Sequence, residues 1–406
     1  MSAIVDKLNA TVGALRNRHF RWLWVGRLSS GVTVEMGTVV QGWLVYRLTG
    51  SAFALGWVAS GWSVATLALS LYGGVISDRI EKRTLLIWSR AGMLVNSLAI
   101  AVLIMSDLLQ VWHLAANSLL NGVFFAFLMP AQESIVAELV DRRTILNAVS
   151  LNAVGFGLMG IVAASTAGAL IELIGPAGVY LIMAAVYGGA IYATYKLPRI
   201  APTGDGDASV WSDLWNIVGY LKQRPAILAV LLLGLTRVFF VMPHRTLMPA
   251  FSQDNLGFDG AGLGLLMSIL AVGAMLGSLI MSSLGDIQGK GRLLLLSGAA
   301  SGLFLILFVS IPWMSGVFIS LAAVGLFNSI YMVLSQALLL NHVDPVYRGR
   351  IISISLAEWG LMPLGTLPSG AIADLVGVPP VIIVLGLIVI VVYMGAMAYP
   401  VVRRLP

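Results

Sequence analysis

Long apolar stretches, separated by short polar segments, follow one another along the whole chain. A helix needs about 20 predominantly apolar residues to cross the hydrocarbon core of a bilayer, and the chain contains twelve stretches of roughly this length. The predicted spans are 22–46, 52–73, 85–105, 112–136, 148–171, 178–197, 226–250, 261–283, 293–311, 314–341, 351–373 and 379–400. The pattern therefore predicts an all-α integral membrane protein with twelve transmembrane helices.

Composition and charge place the chain in the same class. Of its 406 residues, 59% are hydrophobic and 10% are charged, whereas soluble domains carry about 25% charged residues. The net charge of +6 does not indicate a nucleic-acid partner, because most Lys and Arg residues lie at the polar ends of the spans, where they set topology. Lys and Arg are concentrated in every second segment between the spans. This alternation predicts a multi-pass protein of the plasma membrane, the inner membrane of a bacterium, with both termini cytoplasmic.

The longest polar interval, 198–224, divides the spans into two groups of six. It begins with Pro and Gly residues and continues with a Trp-containing stretch of helical spacing, which predicts a cytoplasmic linker followed by an interfacial helix. The two groups resemble copies, since 54–57 match 262–265 at an offset of 208. We therefore predict two pseudo-symmetric six-helix bundles, 1–197 and 225–406, an arrangement typical of alternating-access transporters.

A charged break after the second span carries a recognisable spacing. It reads G-x-x-x-D-R-x-x-K-R and is formed by Gly74, Asp78, Arg79, Lys82 and Arg83. This loop resembles the signature of the major facilitator superfamily of transporters. The resemblance implies that the Asp and Arg form a charge relay on the cytoplasmic face that biases the inward-facing against the outward-facing state. The alternative is a plain membrane-flanking basic loop, which is common in membrane proteins.

The second half and several helices extend this resemblance. The corresponding second loop keeps Asp286, Lys290 and Arg292 but lacks an Arg directly after the Asp. The stretches 129–134 and 360–365 are similar to the fourth and eleventh helices of the exporter branch that includes enterobactin exporters and macrolide efflux proteins. The chain departs from the superfamily's antiporter signature, because the fifth span has no Gly-Pro, and the fourth span lacks the Arg of many proton-coupled members.

Ionisable groups inside a bilayer are costly, so each is a functional hypothesis. Glu35 lies in the middle-to-outer part of the first span, and Arg237 lies near the centre of the seventh. The first and seventh helices line the cavity in the family that the chain resembles, so the two side chains would face one another or a shared ligand. The alternatives are a structural carboxylate paired with an Arg of a neighbouring helix, and a static pair for Arg237.

Other intramembrane polar groups allow two interpretations each. Arg27 and Glu358 are further candidates for the coupling or substrate site, although a structural role is favoured for both. Glu133 is expected to join the cytoplasmic charges near Asp78, and Arg245 is expected to snorkel towards the surface. The amide residues bind either the substrate or neighbouring helices, and those retained as candidates are Gln41, Asn121 and Gln336.

The remaining composition narrows the function. The absence of cysteine excludes disulfides and thiolate metal sites, and the four His residues are scattered, so we predict no metal, no cofactor and no enzymatic activity. The resemblance implies a proton-driven exporter of a small amphiphilic compound such as a drug or siderophore, with a small-molecule substrate, protons and the lipid bilayer as partners and a monomer as the family default. Uptake of a small metabolite, or a sensor built on a transporter scaffold, remains the alternative.

Overall fold

The structure is a computed structural model that describes residues 17–139, 145–199, 220–221, 223–284, 288–344, 347–403 and 405. The predicted linker 198–224 therefore lies mostly outside the described residues. We refer to the helices before this linker as the first half and to those after it as the second half.

The first half consists of long helices. They are α1 (Arg18–Thr49), α2 (Ala52–Arg79), α3 (Lys82–Met105), α4 (Val111–Leu139) and the continuous segment Ile145–Tyr195. Gly175 interrupts the last segment with a φ of +73°, a conformation that glycine adopts at little cost. The break divides this segment into α5, residues 145–174, and α6, residues 176–195, in agreement with the two spans predicted there.

Two helices of the second half are irregular. The rod α7 consists of Pro225–Thr236, a π-helical turn Arg237–Val241, and Pro243–Leu256. Its neighbours are α8 (Gly260–Leu284), α9 (Lys290–Ser310), α10 (Met314–His342), α11 (Arg348–Gly360 and Pro363–Val376) and α12 (Val378–Ala398). Pro363 has no backbone N–H to continue the first piece of α11, so the helix breaks where the sequence pattern predicted one uninterrupted span.

Most of these helices have the length and composition of membrane spans. Within the described part of the chain, nine stretches are long and apolar enough to cross a bilayer, and one of them, Gly157–Tyr195, covers parts of both α5 and α6. Two predicted spans fall outside this set: α1, which carries intramembrane charges, and α11, which is divided into two short pieces. The order and bounds of the described helices are consistent with twelve crossings.

The ends of the helices define two faces. We call the face with the beginning of α1 and the ends of α4 and α6 the terminal face, because Asn17 donates to the backbone of Leu139 and His19 lies 3.3 Å from the backbone oxygen of Lys196. The opposite face, with the α1–α2 and α11–α12 links, is called the far face.

The two halves meet along two pairs of helices. Helix α2 packs on α11, and α5 packs on α8. Glycines permit backbone contact in both places: a Cβ at Gly168 would lie 2.4 Å from the backbone oxygen of Gly260, and a Cβ at Gly370 would lie 2.6 Å from that of Ala52. Both contacts lie towards the far face, so the described conformation is closed on that side.

Candidate functional site

A cavity of about 140 Å³ lies inside the first half, between the membrane centre and the terminal face. Its polar lining comes from Arg27, Ser30, Glu35 and Gln132, on α1 and α4. The rest of the lining is apolar or small and comprises Gly31, Val34, Met93, Phe125, Leu128, Met129, Met159 and Gly160. Methionine side chains adapt to ligands of different shape, so the cavity suits an amphiphilic molecule with at least one polar group.

Arg27, which lines this cavity, forms an ion pair with Glu133 of α4. Its Nη2 lies 2.5 Å from Oε1 of Glu133, and the Arg27 side chain is buried while that of Glu133 is 58% exposed. A buried guanidinium needs a counter-charge, and Glu133 on α4 supplies it. Glu133 therefore contacts an intramembrane arginine, and its predicted association with the charges near Asp78 falls on side chains outside the described part.

Glu35 joins the two halves. Its Oε2 accepts a hydrogen bond from Nη2 of Arg245 at 3.3 Å, so α1 is linked to α7 across the interface. Both side chains are about one-third exposed. In this conformation Glu35 faces Arg245 and not Arg237, because the facing surfaces of α1 and α7 bring Arg245, two turns farther along, to the carboxylate; this agrees with the alternative of a carboxylate paired with an Arg of a neighbouring helix. Glu35 is both a cavity-lining group and a member of a cross-half ion pair.

Arg237 lies in a separate polar cluster within the second half. It is 5% exposed, its Nη1 donates to Oδ1 of Asn328 at 3.5 Å, and its guanidinium lies 5.2 Å from the ring centroid of Trp359. Glu358 is also buried, and its carboxylate lies against Gly234, three residues before Arg237 on α7. The π-helical turn begins at Arg237, and such turns are frequent at functional sites.

A small pocket of space next to α7 accommodates the Glu358 carboxylate. A Cβ at Gly234 would lie 2.5 Å from Oε2 of Glu358, so only glycine lets the carboxylate approach the helix this closely. Tyr393 closes the neighbouring side, and its hydroxyl donates to the backbone oxygen of Leu233 at 2.9 Å. The sequence pattern indicates Arg237 and Glu358 as two separate candidates, and the fold places both at the same part of α7.

The amide candidates are divided between a network and the surface. Asn117 donates to Oε1 of Gln41 at 2.6 Å and accepts from Asn121 at 3.2 Å. Asn96 of α3 donates to the backbone oxygen of Asn117 at 3.2 Å. These bonds join α1, α3 and α4, in agreement with the helix-to-helix alternative for Gln41 and Asn121. Gln336 is exposed.

The switch-loop residues are described only in part. Lys82 is 1% exposed, and Arg83 donates to the backbone oxygen of Leu197 at 3.0 Å with its guanidinium 5.4 Å from the Tyr195 ring. Lys290 and Arg292 begin α9. The description does not include the side chains of Asp78 and Arg79 or the surroundings of Gly74, and Asp286 lies outside the described residues.

The structure also reveals polar contacts between the halves that the sequence analysis missed. At the far face, the Tyr46 hydroxyl donates to Oδ2 of Asp254, and the Asp374 carboxylate accepts a hydrogen bond from Ser51. The repeat contained a signal for the first contact, because Tyr46 and Asp254 are 208 positions apart, which is the offset that relates the two halves.

Comparison of the sequence with known proteins finds transporters, efflux proteins and exporters. A transporter of Staphylococcus aureus, the staphyloferrin A transporter, is 24% identical over 88% of this chain and 90% of its own length. Macrolide efflux protein A of Streptococcus pyogenes is 23% identical over the same shares. Enterobactin exporter EntS of Escherichia coli is 25% identical over 84% of this chain and 81% of its own length.

Solved structures show the same fold. The nucleoside transporter NupG superposes with a TM-score of 0.73 at 15% identity and covers 94% of this chain and 98% of its own. A POT family transporter in complex with 5-aminolevulinic acid superposes with a TM-score of 0.78 at 11% identity and covers 94% of this chain and 96% of its own.

A family model assigns the chain directly. The model described as "Transmembrane secretion effector" matches residues 9–404, nearly the whole sequence. With the long helices and the fold of solved transporters, this match makes the protein a multi-pass membrane transporter. The chain belongs to the transmembrane secretion effector family of the major facilitator superfamily.

Proposed function

We propose that this transporter exports a small amphiphilic compound in exchange for protons, by alternating access between two six-helix halves, 1–197 and 225–406. The observation that carries the proposal is the position of Glu35, which lines the cavity and also pairs with Arg245 across the interface between the halves. The Glu35 carboxylate thus contacts both the cavity and Arg245 of α7, which belongs to the other half.

The lining of the cavity supports an amphiphilic substrate. Apolar and methionine side chains provide most of the surface, while Arg27, Glu35 and Gln132 provide charge and hydrogen bonds. The names of three relatives specify a macrolide, staphyloferrin A and enterobactin, all small molecules. The mixed apolar and charged lining matches the chemistry of such compounds, and the cavity of about 140 Å³ in the described conformation has to enlarge during the cycle to hold them, because drug-sized ligands occupy pockets of about 300–1,000 Å³.

The ion pair supplies a physical basis for exchange. Glu35 and Arg245 attract each other although water reaches both side chains, and protonation of the carboxylate removes this attraction. The empty, deprotonated transporter is therefore held with its far face closed by Glu35 and Arg245. A proton on Glu35, or a substrate whose charged group replaces one partner, releases the pair. The halves then rearrange when either is bound, and obligatory exchange results.

The charge distribution supports an orientation for this cycle. Among the described residues outside the spans, Lys and Arg are concentrated at the terminal face, and cytoplasmic segments carry such an excess. In the proposed orientation, both termini are cytoplasmic, the far face is extracytoplasmic, and the described conformation faces inward in the inner membrane of a bacterium. The proposed cycle requires neither a cofactor nor a second protomer.

Proton movement on addition of substrate tests the proposal. The purified protein is reconstituted in liposomes that contain a pH-sensitive dye, and a macrolide, staphyloferrin A and enterobactin are added in turn. We expect compound-dependent proton flux in the parent protein and at least a tenfold loss in Glu35→Gln. Asp107→Asn is the matched control, because Asp107 is exposed in the link between α3 and α4, and its flux should equal that of the parent.

Three other results of the flux experiment would contradict parts of the proposal. Flux that persists in Glu35→Gln would contradict the role of Glu35 and make Glu358 the next carboxylate to test. Substrate movement without proton flux would contradict exchange. Accumulation of the compound against its gradient on the cytoplasmic side would favour the alternative, uptake through the same cavity.

A further inference from the structure

The first turn of α2 is completed by a carboxylate from the other half. Asp374, near the end of α11, accepts hydrogen bonds from the Ser51 hydroxyl at 2.6 Å and from the backbone amides of Ala52 at 2.5 Å and Phe53 at 3.2 Å. Ser51 itself accepts from the Ala54 amide at 3.1 Å. The first amides of a helix have no partner within it, so Asp374 and Ser51 together satisfy three of them.

A second carboxylate forms an equivalent contact in the opposite direction. Glu172, near the far-face end of α5, accepts a hydrogen bond from the backbone amide of Ala261 at 3.0 Å. Ala261 lies in the first turn of α8, which begins at Gly260. The first half thus caps a helix of the second half, just as the second half caps α2.

The two caps are related by the internal repeat. Ala52 and Gly260, the first residues of α2 and α8, are 208 positions apart, and Glu172 and Asp374 are 202 apart. Close backbone contacts next to the caps are related by the same two offsets. In each contact, a Cβ added to a glycine of one half would lie between 2.4 and 3.0 Å from a backbone oxygen of the other half. The glycines and the residues that carry the oxygen are Gly168 with Gly260, Gly370 with Ala52, Gly264 with Ala164, and Gly56 with Thr366.

We propose that Asp374 and Glu172 are positioning residues of the transport cycle, a pair of reciprocal caps that stabilise the closed far face. Each cap exists only while the two halves touch at that face, because donor and acceptor belong to different halves. Carboxylates at a helix N-terminus form charge-assisted hydrogen bonds with the free amides and interact favourably with the helix dipole. Separation of the halves breaks both sets of bonds in one movement.

This inference rests on alternating access and not on the proposed substrate or on proton coupling. Asparagine keeps an acceptor oxygen, so Asp374→Asn removes only the negative charge, whose interaction with a helix N-terminus is worth up to about 1 kcal/mol. This corresponds to about a fivefold change in an equilibrium, and we therefore expect Asp374→Asn to raise the population with an open far face by up to about fivefold. Because both caps act on one equilibrium between two states, Asp374→Asn with Glu172→Gln should give about the product of the two single effects.

Accessibility of a single cysteine measures this population. The chain contains no cysteine, so an introduced one is the only thiol. Ile171→Cys is a suitable far-face reporter, since Ile171 is 5% exposed and lies against Gly260 of the other half. Met129→Cys, which lines the cavity, is the reporter for the terminal side. Rates of labelling by a membrane-impermeant maleimide are compared in oriented vesicles, in the parent and variants.

A rigid-body effect is distinguished from local loosening by the two reporters together. We expect Asp374→Asn to accelerate labelling at position 171 and to slow labelling at position 129, while Asp107→Asn leaves both rates unchanged. Unchanged rates in Asp374→Asn would overturn the proposal, and so would faster labelling at both positions, which indicates general destabilisation. If Asp374→Asn does not fold, Ser51→Ala removes one of the three hydrogen bonds to Asp374, together with the bond from the Ala54 amide, and the same pair of opposite changes in labelling is required.

Discussion

At the scale of single residues, the hydroxyl of Tyr46 offers the simplest test of far-face closure. It donates to Asp254 across the interface between the halves. A hydrogen bond to a charged group contributes about 1.5–3 kcal/mol, less where water reaches the pair, and Asp254 is exposed. We therefore predict that Tyr46→Phe raises the labelling rate of Ile171→Cys about fivefold.

The control for this variant is another tyrosine. Tyr180 is 1% exposed, and its hydroxyl has no hydrogen-bond partner among the described residues. Tyr180→Phe removes a hydroxyl of the same kind within the first half, so the labelling rate should not change. Equal rates in both variants and the parent would show that the Tyr46 bond does not stabilise the closed far face.

The sequence alone predicts which charged residues are candidates for the site but not which residues they contact. The cost of burying charge was enough to select Glu35, Arg27, Arg237 and Glu358 as candidates. Their partners were not predictable, because helical periodicity fixes the face on which a residue lies but not the helix that this face meets. The pairing of Glu35 with Arg245 depends on the axial position of α1 against α7, which only the fold determines.

At the scale of helices, the close contacts of α5 with α8 and of α2 with α11 require glycine. A methyl group at Gly168 would lie 2.4 Å from the Gly260 backbone oxygen, and one at Gly370 would lie 2.6 Å from that of Ala52. Since backbone atoms cannot move aside cheaply, we predict that Gly168→Ala and Gly370→Ala each separate the halves at the far face. Labelling of Ile171→Cys should rise at least fivefold in both.

A third glycine provides the comparison. A Cβ at Gly189 in α6 would have no neighbour within 4 Å, and alanine favours a helix by up to about 1 kcal/mol over glycine. Gly189→Ala should therefore leave labelling unchanged and stabilise the protein slightly against thermal unfolding. An increase in labelling for Gly168→Ala alone, without one for Gly370→Ala, would contradict the equivalence of the two helix pairs.

The helices themselves were largely predictable. Apolar length located the spans within a few residues, and the break at Gly175 falls in the gap predicted between the fifth and sixth. Irregularities were not visible, since the π-helical turn at Arg237 and the division of α11 depend on local backbone hydrogen bonding that hydropathy does not encode. Those two irregularities flank the cluster of Arg237 and Glu358, where the second half departs most from regular helix.

At the scale of the whole molecule, the closed far face and the cavity on the terminal side form one functional state. The ion pair of Glu35 with Arg245, the Tyr46 bond and the two reciprocal caps all join the halves at or beyond the membrane centre. Weakening any of them favours the opposite state. In the proposed cycle, the proton and the substrate act on the innermost of these contacts, the pair of Glu35 with Arg245, and the reciprocal caps determine the equilibrium between the two states in their absence.

The direction of transport depends on which face of the protein is cytoplasmic, and labelling of intact bacteria can determine this. Asp107 lies in the α3–α4 link at the far face, and Lys196 lies at the end of α6 on the terminal face; both are exposed. Positive charge at the terminal face favours a cytoplasmic location for it. We predict that a membrane-impermeant maleimide labels Asp107→Cys in intact cells of a bacterial host and labels Lys196→Cys only after the cells are permeabilised. The reverse labelling pattern would show that the cavity opens to the outside of the cell in the described conformation. The contacts at the far face would then close the cytoplasmic side, as expected for a transporter ready for uptake.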